Sequence, residues 1–154
     1  MFEMHGLRRH ERMLIEGAAM SLSLREQGIE TVHDQVVSLV AQRWAKAFVC
    51  KVTIRTGFEQ NSWSEPNQLC DIVGWYVSSA GNTMEWMAEV ETEDSLLDAQ
   101  VVDKWKRTIA RGIPFYVLVP RGLKEVAVKL SKEQSIAVSW VYEFMFINGV
   151  CHVL

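Results

Sequence analysis

Asp71, Glu89 and Glu91 are the residues of this chain whose types and spacing best suit chemistry. Glu89 and Glu91 flank Val90 in an apolar run, and side chains of a strand alternate between faces, so the two carboxylates share one face while Val90 points into the core. Asp71 opens the preceding apolar run, residues 71–77, and Gly81-Asn82 lies in a polar break where the chain can reverse. If that hairpin brings Asp71 beside the glutamates, three like charges repel and call for a cation. Their own segment offers none, because no Lys or Arg stands between Thr56 and Asp103. A hard ion that prefers oxygen ligands, Mg2+ or Mn2+, is the simplest neutraliser. The alternative is a half-exposed hairpin whose glutamates are merely solvated.

The elements that must position these residues follow from periodicity. Leu7, Leu14 and Ala18 recur at helical spacing over residues 7–20, which suggests a first amphipathic helix within an N-terminal extension of about residues 1–28. Thr31 can cap a clearer helix running to about Ala47, whose buried stripe holds Val32, Val36, Leu39, Val40, Trp44 and Ala47. Glu30, His33 and Asp34 lie at its start, where His33 reads as a surface or capping histidine. Residues 48–56 alternate as a half-buried strand, and residues 59–68 form a polar loop carrying an exposed Trp63.

After Glu91, a cap at Asp94 or Ser95 starts one helix to Arg111, with Leu97, Val101, Trp105 and Ile109 inward and Lys104, Lys106 and Arg107 outward. The apolar run at residues 113–120 suits a strand buried on both faces and parallel to the one ending at Glu91, since a helix of crossover length joins them. A short helix over residues 123–130, a strand over 137–147 and a turn at Asn148-Gly149 complete the chain.

With 154 residues and 49% hydrophobic content, the chain suits one domain with a sizeable core. The three cysteines, Cys50, Cys70 and Cys151, are scattered and form no CxxC pair, which argues against a disulfide framework or structural zinc. No apolar stretch is long enough to span a bilayer and the N-terminus breaks into charge at once, so a cytoplasmic protein without a membrane partner is expected. The net charge of −3 offers no global attraction to nucleic acid. From Lys104 to Lys132, however, eight basic residues stand against Glu125 alone, and this segment either lines a phosphate-binding surface or is a set of solvated helix faces.

Asp71 on the second strand, Glu89-Val90-Glu91 on the third and the order of elements together resemble the PD-(D/E)xK nuclease superfamily of restriction endonucleases and Holliday-junction resolvases. The similarity spans residues 31–120. It implies an α/β, restriction endonuclease-like three-layer sandwich, with a central mixed sheet flanked by helices. It also implies that Asp71, Glu89 and the Val90 carbonyl hold Mg2+ or Mn2+, and that Glu30, on the first helix of the core, joins the catalytic set. Cys70 stands where many members have proline. Glu91 stands where the usual lysine would position water and stabilise the pentacovalent phosphate.

The expected function is a metal-dependent DNA endonuclease or related phosphodiesterase, working as a homodimer. Asp71 and Glu89 hold the metal, and Glu91 orients the attacking water or takes its proton. Lys104, Lys106 and Arg107 contact phosphates, with Lys104 or Lys106 supplying the missing ammonium, and Trp63 stacks on an exposed base. Two other readings stay open. One is a nuclease-like domain that has lost catalysis and serves protein or nucleic-acid binding, and the other is a structural dimer with a solvated acidic ridge.

Overall fold

The structure, a computed structural model, describes residues 31–55, 68 and 70–154. Glu30, Trp63 and the expected N-terminal extension lie outside the described residues. Helix α1 (Val32–Phe48) begins as its cap demands, with Thr31 Oγ1 accepting the Asp34 amide at 3.2 Å. It runs through Phe48, where a strand was expected to start, and stops at Val49 in the left-handed conformation. That is a costly place for a β-branched residue. The aromatic stripe of the helix offsets the cost: Trp44 and Phe48 lie 6.0 Å apart between ring centroids, and both pack on Trp86, at 5.4 and 5.9 Å.

The strands are β1 (Lys51–Ile54), β2 (Ile72–Ser78), β3 (Gly81–Val90), β4 (Phe115–Pro120), β5 (Trp140–Ile147) and β6 (Val150–Val153). They form one six-stranded sheet in sequence order. β3 pairs parallel with β4 and β4 with β5, as the helical crossovers require, while the other pairs are antiparallel. The chain is therefore α/β with a mixed sheet, and the sheet curls into a half-barrel, so that the helices pack on a curved layer and not on a flat one.

Alternation along the strands divides the interior into two cores. On one face, Val36, Val37 and Val40 of α1 meet Ile72, Ala88, Val90 and Leu118. On the other, helices α2 (Glu93–Leu97), α3 (Gln100–Ile109) and α4 (Lys124–Glu133) set Leu96, Trp105 and Ala127 against Val73, Met87, Phe115 and Val117. Glu89 and Glu91 alternate with Val90 and so face α3.

Two local departures shape this second face. The single helix expected up to Arg111 is broken at Asp98, whose carboxylate accepts the Gln100 amide at 2.8 Å and gives the backbone an alternative to the helix. A β-bulge interrupts the β2–β3 ladder, so that Val73 pairs with Met87 but Trp75 pairs with Met84. Glu85 is the extra residue, and the bulge turns Met84 and Met87 to the same face. Among the described residues no helix is long and apolar enough to cross a membrane.

Candidate active site

Asp71 sits at the entrance to β2 and is tied to the end of β3: its Oδ2 accepts the Val90 amide at 2.9 Å. The same oxygen is 3.1 Å from His33 Nε2, and Oδ1 lies 3.6 Å from the Arg55 guanidinium. Val90, expected as a carbonyl ligand, thus contributes its N–H to Asp71 and its side chain to the α1 core. Glu89 and Glu91 are both 0% exposed.

Glu91 is held on all sides. Thr92 and Ser95 form a capping box that starts α2 directly after the strand, and the Ser95 hydroxyl also donates to Glu91 Oε2. Trp105 Nε1 donates to Oε1 at 2.9 Å, and Lys104 Nζ stands 2.6 Å from the same oxygen. The Lys104 ammonium also reaches 3.4 Å from Glu89 Oε2, bridging the two glutamates. Lys104, expected on the outward side of this helix, instead turns its ammonium to both buried glutamates, whereas Lys106 and Arg107 are exposed on its outer side.

Glu89 is less well served. Its partners are the Lys104 ammonium at 3.4 Å and the Asp71 carboxylate, with which it can share a hydrogen bond only while one of the two acids keeps its proton. Burial, and then the charge of Asp71, push its pKa well above the ordinary carboxylate value. Asp71 goes the other way. Burial acts to raise its pKa, but the His33 charge and hydrogen bond, a hydrogen bond with Glu89 and the Lys104 charge together outweigh it and hold Asp71 well below the usual range. For Lys104, burial acts downward while Glu89 and Glu91 prevail and raise it. The cluster thus holds an ionised Asp71, a charged Lys104 and a Glu89 driven to keep a proton for want of a further cation. Beside them the Cys70 thiol is pushed up to about 12, by burial first and then by Glu89 and Asp71, so it is inert at neutral pH.

Among the described residues no group of three or more His, Cys, Asp or Glu is arranged to hold a metal ion. Mg2+, however, is commonly held by one or two carboxylates and completes its shell with water and substrate phosphate. The buried Glu89 set against the ionised Asp71 fits that mode of binding.

Three participants escape the sequence: His33, Asp34 and Arg55. His33 is part-buried and bridges Asp34 Oδ1, 2.9 Å from its Nδ1, to Asp71. It is not the surface or capping histidine expected, because the first turn of α1 faces the strand ends. The signal available was a His-Asp pair directly after a helix cap. Arg55 is the third. The absence of a local cation is corrected by Arg55 and Lys104, which bound the cation-free stretch and both reach its carboxylates. Compared with family models, curated proteins and solved structures, the chain finds no significant match.

Proposed function

We propose that the protein is a metal-dependent phosphodiesterase acting on DNA, with a core of the restriction endonuclease type. The observation that carries this reading is Glu89: a fully buried carboxyl group set against the Asp71 carboxylate, with the Lys104 ammonium 3.4 Å away as the cation nearest to it among the described residues. A buried carboxylate held against a second one is costly once both ionise. A fold keeps such a group where a ligand will complete it.

Asp71 and Glu89 would hold Mg2+ or Mn2+, which supplies Lewis-acid polarisation of the phosphate and a more acidic bound water. In the hydrolysis, water oxygen bonds to phosphorus and the bond from phosphorus to the leaving oxygen breaks. Lys104 neutralises charge gathering on the phosphoryl oxygens, the task given to the triplet lysine in the resemblance. Glu91 then serves as a positioning residue: its oxygens fix Lys104, and Trp105 and Ser95 fix Glu91. His33, oriented by Asp34, steadies Asp71. Lys106 and Arg107 lie on the exposed face of the same helix, where phosphates of a bound strand can reach them.

Nicking of supercoiled plasmid in Mg2+ or Mn2+ tests this. Cleavage should require the metal and vanish in Glu89→Gln. The reading of a domain without catalysis is favoured by one observation, the 0% exposure of Glu89. Metal binding without cleavage of linear, nicked, branched or single-stranded DNA would decide for it.

A further inference from the structure

A cavity of about 260 Å3 opens on the same sheet face as Glu89. Cys70 and Met87 form its inner end, the first adjoining Asp71 and the second sharing the outward face of β3 with Glu89. Trp75 and Met84 form its apolar wall, and the β-bulge is what brings Met84 into line with Met87. Lys51, Arg111 and Asn82 stand exposed around it. The volume falls below the roughly 300–1,000 Å3 of sites for drug-sized ligands, so the occupant is a small group.

The polar atoms of the wall are engaged with one another. Trp75 Nε1 donates to Thr53 Oγ1 at 2.7 Å, and the Thr53 hydroxyl donates to Gln68 Oε1 at 2.6 Å. Gln68 Nε2 donates in turn to the carbonyls of Cys70 and Thr53, at 2.7 and 3.3 Å. The indole is therefore preorganised, and little ordering remains for a ligand to impose. Lys51 and Arg111 pair with no carboxylate among the described residues, whereas Lys104 and Arg55 do. A small aromatic wall with unpaired cations at its mouth complements a flat ring that carries phosphate.

We propose that this cavity receives the base of an unpaired nucleotide next to the scissile phosphate, with Trp75 stacking on it and Lys51 and Arg111 taking its flanking phosphates. The proposal rests on the nuclease reading for its choice of DNA as ligand. A base inside a duplex has both faces covered by its neighbours, and only an unpaired or extruded base can offer one to a side chain. The site accordingly selects single-stranded, bulged or frayed DNA over a perfect duplex. Stacking is tolerant of sequence, since every base has a π-face.

The test is fluorescence anisotropy of the full chain with a labelled 12-nucleotide single strand and with a blunt duplex of equal length, in EDTA so that nothing is cleaved. The single strand should bind at least about tenfold tighter, and Trp75→Leu should weaken it by about tenfold. Arg111→Glu, at an exposed position that the fold does not need, should also weaken it, which guards against a misfolded Trp75→Leu. Equal binding of the two DNAs, or single-strand binding indifferent to both substitutions, would overturn the pocket. The two readings fail separately. Tight single-strand binding through Trp75 without any metal-dependent cleavage removes the nuclease and keeps the pocket, whereas metal-dependent cleavage with no strand preference removes only the pocket.

Discussion

Lys104 Nζ stands 2.6 Å from Glu91 Oε1, so the acid that follows the end of β3 is directly paired with a lysine of α3. Glu91→Lys alone would bury a second ammonium against Lys104 and deprive Trp105 Nε1 of its acceptor, at a cost of about 3 kcal/mol or more. Lys104→Glu alone would gather a third carboxylate with Glu89 and Glu91. The double variant restores opposite charges. In urea unfolding it should be more stable than the sum of the single losses by at least about 1 kcal/mol. Strict additivity would show that the pair is uncoupled.

Glu89 sets a pH dependence. Its native pKa lies above the unfolded one because burial and Asp71 oppose its ionisation. Its favourable contribution is therefore complete below the unfolded carboxylate value and is lost as pH rises through the native value. Metal-free protein should lose stability over that interval, and Mg2+ should restore it by binding the ionised form. Glu89→Gln, neutral at every pH, should melt higher than the metal-free parent at pH 8 and gain nothing from Mg2+. A parent whose melting temperature is flat over the interval, or a Glu89→Gln variant that still gains from Mg2+, would refute this assignment.

What was legible in the sequence was whatever period and chain order control. The alternation that puts Glu89 and Glu91 on one face and Val90 on the other appears as expected, and so does the parallel placement of β4 beside β3. The Thr31 cap is likewise where the sequence places it. Features decided by tertiary competition were not legible. Trp86 draws α1 past its expected end through Trp44 and Phe48, and a local Asp98 hydrogen bond splits the helix that carries Lys104. At the site, the cation-free stretch misled because Arg55 and Lys104 lie just beyond its limits. His33 was undervalued because helix periodicity does not say which end of a helix meets the strand ends.

Gly74 should tolerate no side chain. A Cβ there would come within 2.1 Å of the Trp86 indole, which Trp44 and Phe48 hold in place from the α1 side. Gly74→Ala should destabilise by about 1–3 kcal/mol through overpacking. Because Gly74 borders the β-bulge, this variant should also impair single-strand binding. Unchanged thermal stability would mean that the Trp86 ring has room to move.

Lys106 and Arg107 should act through phosphate alone. Each removal by alanine should weaken DNA binding without regard to sequence and reduce the slope of log K against log salt by about 1. Both are exposed, so stability should hold. A salt slope unaltered in the double variant would move the phosphate contacts to another surface.

The central claim is that Asp71 and Glu89 hold a divalent ion beside Lys104. Crystals soaked in Mn2+ and measured for anomalous scattering test it most directly. A single strong anomalous peak is expected between the Asp71 and Glu89 carboxylates, at about the 2.0–2.2 Å typical of oxygen ligands to such small divalent ions, and it should be absent in Glu89→Gln. Anomalous density elsewhere on the molecule, with both carboxylates bare at millimolar Mn2+, would contradict it.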